Sequence, residues 1–114
     1  MKLNPILIVA ATVILSSSGA LAANGPELDR GKALYDRWCT PCHGSGHGHP
    51  GTSALLEKYQ GTIPPVLDER QDLPPELIHY SIRHGVSVMP MFRKTEITVG
   101  DENDLILFLT RKKE

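Results

Sequence analysis

The residues with the most chemistry in the shortest stretch of this chain are Cys39, Thr40, Pro41, Cys42 and His43. Two thiols three positions apart, with a histidine directly after the second, match the attachment pattern of a c-type haem. One turn of chain lets both sulfurs reach the two vinyl groups of one porphyrin as thioethers. The adjacent imidazole then sits under the iron as the proximal ligand. Three other uses of such a pair carry less weight. A thioredoxin-like redox pair belongs near a βαβ pattern, and the chain shows no strand-helix-strand alternation. A zinc site needs further ligands at metal spacing, and the chain has only these 2 cysteines. A disulfide between residues so close would close a very small loop and add little stability.

A second candidate lies downstream in Val88-Met89-Pro90-Met91-Phe92. Methionines in apolar runs ordinarily fill cores. A haem iron already held on one side needs a sixth ligand, however, and a thioether serves. Pro90 keeps the loop extended, so either Met89 or Met91 can present its sulfur. Four more histidines are weaker candidates. His47 and His49 lie in a glycine-rich stretch and read as exposed loop residues. His79 and His84 fall on a helical pattern and read as solvated or core-edge side chains. Arg70 follows the extended run Pro64-Pro65-Val66-Leu67 and is a candidate propionate contact, with a solvated surface arginine as the alternative.

The elements that must position these residues read as helices throughout. Glu27 to Cys39 carries Leu28, Leu34, Tyr35 and Trp38 near one face, with Glu27 and Asp29 in the first turn. Gly31 interrupts it at a propensity cost, which a closely crossing helix would explain. Thr52 to Tyr59 forms a short helix with Leu55 and Leu56 inward, ended by Gly61. Pro74 and Pro75 open a third helix, with Leu77, Ile78 and Ile82 at helical spacing and Gly85 closing it. The last helix runs from Asp101 to about Arg111, with Thr98 as its cap. Its run from Leu105 to Leu109 predicts burial over much of its surface. No strand pattern survives, so the fold class is all-α, three to five helices around one covalently bound haem.

Composition bounds the remaining choices. The 114 residues suffice for one small domain, and they open with Lys2, an apolar run and Ala20-Leu21-Ala22. Residues 1–22 therefore read as a secretory signal peptide, leaving 23–114 as a single domain exported to a periplasm. The apolar run is too short for a membrane span, and nothing later would serve as a membrane anchor. Export to an oxidising compartment fits two cysteines consumed by haem. With 13 acidic and 12 basic residues and no basic stripe with interleaved aromatics, the balance excludes a nucleic-acid partner. A domain this small is marginal without a staple, so an enclosed haem would supply much of its core. The chain made without haem attachment is expected to lose native helix content.

Over essentially the whole of 23–114 these residues resemble a class I cytochrome c. The motifs that carry the likeness are Gly31-Lys32-Ala33-Leu34-Tyr35, the cysteine pair with His43, Val88 to Phe92, and the apolar last helix. The resemblance implies that Gly31 and Tyr35 pack across the last helix. It implies His43 and Met89 as axial iron ligands, with Met91 in reserve. It also implies that the Pro65 carbonyl accepts a hydrogen bond from His43, although Pro64 replaces the usual glycine. The last helix departs too: Gly100 and Glu102 stand where the family has helix formers and an apolar residue, so its first turn is expected to fray.

A narrower likeness runs through Arg83-His84-Gly85-Val86-Ser87-Val88-Met89-Pro90-Met91-Phe92-Arg93-Lys94-Thr95-Glu96-Ile97. That run, with Pro65-Val66-Leu67, Arg70 and Leu73-Pro74, is similar to the cytochrome subunits of p-cresol methylhydroxylase and eugenol hydroxylase. Those flavocytochromes oxidise 4-alkylphenols with an FAD flavoprotein subunit. The resemblance implies an electron-transfer subunit with no catalytic site of its own. It would accept electrons from the flavin and pass them to another soluble carrier. Independently of the resemblance, Arg93 and Lys94 beside the methionine loop read either as charges that steer an acidic partner or as a solvated rim. A free-standing carrier serving a terminal oxidase or another dehydrogenase is the alternative. A haem sensor or peroxidase would require the distal ligand to be labile.

Overall fold

The computed structural model describes residues 25–113. The expected signal peptide, residues 1–22, lies outside the described residues. Among the described residues five α-helices follow in order: α1 (Pro26–Trp38), α2 (Thr40–His43), α3 (Pro50–Tyr59), α4 (Pro75–His84) and α5 (Val99–Thr110). A single 3-10 turn (Leu67–Glu69) lies between α3 and α4. Among the described residues there is no strand, only an isolated antiparallel bridge between Val86 and Met89. The all-α expectation holds.

Proline marks where α1, α3 and α4 begin, each having it in the first turn, where its missing N–H is no loss. The centre of the fold is the crossing of α1 and α5. A Cβ at Gly31 would lie 2.1 Å from the Asp104 carbonyl oxygen and 2.8 Å from the Phe108 Cβ. Only glycine allows the two backbones to approach so closely. One turn along, Tyr35 meets Phe108 with ring centroids 5.4 Å apart. The Arg30 Nε donates to Asp104 at 2.9 Å and borders the same crossing. Ile78 and Ile82 of α4, together with Ile97, Leu105 and Leu109, complete the buried core.

Several apolar residues expected inside are outside. Leu107 is exposed while Leu105, Phe108 and Leu109 are buried, so α5 is two-faced. Leu56 and Leu77 are likewise exposed, leaving Leu55 and Ile78 as the inward members of their pairs.

The expected fraying of α5 does not occur. The Thr98 side chain accepts from the Asp101 N–H at 3.2 Å, and the Asp101 carboxylate accepts from the Thr98 N–H at 3.0 Å. This capping box satisfies two of the donors a helix start leaves over. Glu102, only 3% exposed, turns toward α4 and accepts from Arg83 Nε at 2.8 Å. His79 and the Arg83 Nη2 also pair with it. The residue that looked out of place in an apolar helix is therefore a buried anion with two partners from α4.

Candidate functional site

Cys39 is the N-cap of α2, Cys42 lies within its single turn, and His43 ends it. The Cys42 and His43 N–H groups both donate to the Cys39 carbonyl, at 3.1 and 2.8 Å. A single tight turn therefore holds both sulfurs and the imidazole in fixed register. No disulfide joins the two sulfurs. Burial pushes the Cys39 thiol up to about 12, with the neighbouring Cys42 adding to the rise. An environment that penalises a thiolate has no such quarrel with a neutral thioether.

His43 is half-buried, and burial holds its imidazole below the ordinary histidine value. The ring is thereby kept neutral, the form that binds metal. Its Nδ1 is buried and finds no hydrogen-bond partner among the described residues. The bond expected with the Pro65 carbonyl is accordingly not made. The physical reason lies in α3, which covers that edge of the ring: a Cβ at Gly51 would lie 2.7 Å from Nδ1 and 2.6 Å from Cε1. Two sulfurs and an imidazole held in one turn, with burial disfavouring the charged ring, fit a covalently held haem.

Three residues that sequence reasoning missed hold this turn in place. The Thr52 hydroxyl donates to the Gly44 carbonyl at 2.7 Å. The His49 Nδ1 lies 3.1 Å from the Pro41 carbonyl, inside the cysteine turn itself, so His49 is not a mere loop residue. Gly51 gives α3 its close approach to His43. None of the three left a signal in the sequence, where Gly51 reads as the end of the glycine-rich loop and Thr52 as the start of a helix; the structure begins α3 at Pro50. His47 is exposed, as expected.

The methionine loop is pinned at both ends. The Val86 N–H donates to the Met89 carbonyl at 3.2 Å, and the Met89 N–H returns to the Val86 carbonyl at 2.9 Å. Gly85, at φ 71°, is the hinge, because a Cβ there would lie 2.4 Å from the Met89 oxygen. At the far end the Phe92 N–H donates to the Ile82 carbonyl at 2.8 Å. Met89 is half-buried, whereas Met91 is 58% exposed and Val88 94% exposed. The Trp38 and Phe92 rings meet edge to face with centroids 5.7 Å apart. Trp38 immediately precedes Cys39, and Phe92 follows Met89 by three residues, so this contact joins the ends of the two motifs.

The other candidates are dispersed. Arg70 is buried, and its Nε and Nη2 donate to Asp72 at 2.8 and 2.7 Å. Its guanidinium carbon lies 5.2 Å from the centre of the Tyr59 ring. A propionate contact would thus fall to Nη1, which the Asp72 pair does not use. His79 is engaged with Glu102, and His84 stacks on Tyr80 at 4.4 Å. Among the described residues no cluster of three or more His, Cys, Asp or Glu side chains could hold a separate metal ion. None of their helices is long and apolar enough to cross a membrane.

Comparison with known proteins agrees with this geometry at the level of family. No curated protein and no solved structure matches the chain. The model of one family, described as cytochrome c oxidase, cbb3-type, subunit III, matches residues 26–109, nearly all of the described helices. The chain belongs to that family: it is a class I c-type cytochrome, an electron-transfer protein with covalently bound haem c.

Proposed function

We propose that this chain is the periplasmic cytochrome subunit of a flavocytochrome, accepting electrons from the FAD of a 4-alkylphenol-oxidising flavoprotein. It would pass them on to a soluble carrier. The observation that carries this reading is the loop from Arg83 to Ile97, similar along its length to the cytochrome subunits of such enzymes. In the fold Val86, Val88 and Met91 of that loop are exposed, as are Arg93 and Lys94 just after them in the chain. An apolar patch edged by charge is the kind of surface a partner covers, the charge steering approach and the apolar centre holding the docked pair.

Haem c supplies a one-electron couple, so a two-electron oxidation in the partner is delivered in two transfers. The chain's own residues determine how well that couple works. Cys39 and Cys42 anchor the porphyrin, and His43 and Met89 are the proposed axial ligands. Met89 is favoured over Met91 because it is half-buried and fixed by two backbone bonds to Val86, while Met91 faces solvent. A histidine-methionine pair raises the potential, which suits electron uptake from a flavin, and it leaves no open position for oxygen or substrate. Arg70 would hold a propionate through Nη1.

Stopped-flow mixing tests the assignment. A phenol-oxidising flavoprotein of this type, reduced by its substrate, is expected to reduce the native cytochrome within the time of turnover. A haem that stays oxidised through many turnovers would exclude it. The family's description, an oxidase subunit, connects such domains with terminal oxidases, and the second reading is a free-standing carrier that serves one. Gel filtration of the native extract separates the two: haem co-eluting with flavin supports the subunit, and haem at the mass of the lone domain supports the carrier.

A further inference from the structure

The buried carboxylate of Glu102 has no role in the chemistry described so far, yet it lies at the start of a chain of contacts that ends at the methionine loop. It accepts from Arg83 Nε at 2.8 Å and from Arg83 Nη2, and His79 approaches its other oxygen. With its orientation fixed by that anion, Arg83 reaches past it. Its Nη1 donates to the Phe92 carbonyl at 3.3 Å, and its Nη2 points at the Thr98 carbonyl at 3.5 Å. The Phe92 N–H is already bound to the Ile82 carbonyl at 2.8 Å. Both backbone groups of Phe92 are thus tied to α4, one by main chain and one by a side chain held by α5.

We propose that Arg83, oriented by Glu102, is the positioning residue that clamps the C-terminal end of the methionine loop and so keeps Met89 in place as the distal ligand. This rests on the assignment of Met89 above. The N-terminal end of the loop is fixed by Gly85 and by the paired bonds between Val86 and Met89. The C-terminal end has no such pair; between Met89 and Phe92 the chain runs through Pro90, which has no N–H to give. A planar guanidinium can hold a carboxylate and two carbonyls at once, whereas an ammonium is a point charge without that fork. A hydrophobic residue at 102 would fill the same space, but it could not aim Arg83. A buried carboxylate in an apolar helix, costly to desolvate, is explained by that task.

The test uses the full-length holoprotein and added imidazole, which competes for the distal position when the methionine leaves it. Arg83→Lys keeps the charge opposite Glu102 and loses the reach to Phe92. It is expected to bind imidazole about tenfold more tightly than wild type, equivalent to ~1.4 kcal/mol of lost loop restraint. The sulfur-to-iron charge-transfer band should weaken while far-ultraviolet circular dichroism stays native. Imidazole affinity and band both equal to wild type would overturn the proposal. If Arg83→Lys does not fold, Glu102→Gln is read in the same way, since it releases the guanidinium without changing the volume of the side chain. Met89→Ala separates the two claims. If its imidazole affinity matches wild type, the Met89 assignment has failed; if it rises while Arg83→Lys and Glu102→Gln do not respond, only the clamp has failed.

Discussion

The Tyr35 hydroxyl donates to the His43 carbonyl at 3.2 Å. This bond links the crossing of α1 and α5, where the Tyr35 ring lies against Phe108, to the last residue of the cysteine turn. Burial holds the phenol well above its ordinary value, so it remains a donor through the physiological range. Tyr35→Phe keeps the ring and removes the bond. Urea unfolding of the holoprotein, followed by circular dichroism, is expected to show a loss of about 1 kcal/mol, the usual net worth of such a bond. A midpoint unchanged from wild type would mean that the crossing and the haem turn are held independently.

Gly85 is where the methionine loop is most vulnerable. Alanine there must adopt a positive φ, at a cost of about 1–2 kcal/mol. Its Cβ would also press on the Met89 oxygen, from which it would lie 2.4 Å away. The loop is expected to yield before the helices do, since its retained contacts are few. Gly85→Ala should therefore lose the sulfur-to-iron band in visible absorption while its far-ultraviolet spectrum stays helical. A band of native strength would show that the loop tolerates the displacement.

Acid stability should depend on Asp72. The Arg70 guanidinium beside it, chiefly through its hydrogen bonds, holds this carboxyl below the ordinary carboxylate range. A group whose folded value is depressed stabilises the protein above its unfolded value, and that contribution disappears as pH falls through the folded one. The stabilisation is thus complete above the ordinary aspartate value of 3.8 and is lost progressively as pH falls from there through the lower folded value. Because the Asp72 side chain is 47% exposed, the effect is small and weakened by salt. Thermal melts of Asp72→Asn against wild type should differ at neutral pH and converge in strong acid. A constant difference across that range would remove the ion pair from the explanation.

The sequence revealed the site better than its supports. Cys39, Cys42 and His43 carry their chemistry in residue type and local spacing, which a single helical turn preserves. Gly31 was readable as a close crossing because a glycine inside a helix has a cost that only proximity repays. Glu102 was not readable: its partners His79 and Arg83 lie on another helix, and local periodicity reports nothing about them. The same limit applies to His49, whose contact with Pro41 depends on how the glycine-rich loop folds back. Pro65 is a different case: its place beside His43 came from resemblance, and the His43 Nδ1 has no partner among the described residues.

The account turns on Met89 completing what Cys39, Cys42 and His43 begin, and a redox titration of the native holoprotein against Met89→Ala tests that most directly. The wild-type protein is expected to titrate as a one-electron couple. Met89→Ala should lower its midpoint by more than about 59 mV, a tenfold change in a one-electron equilibrium, because a thioether ligand raises the potential. An equal midpoint in the two proteins would contradict the ligand assignment, and with it the reading of the methionine loop as the distal half of an electron relay.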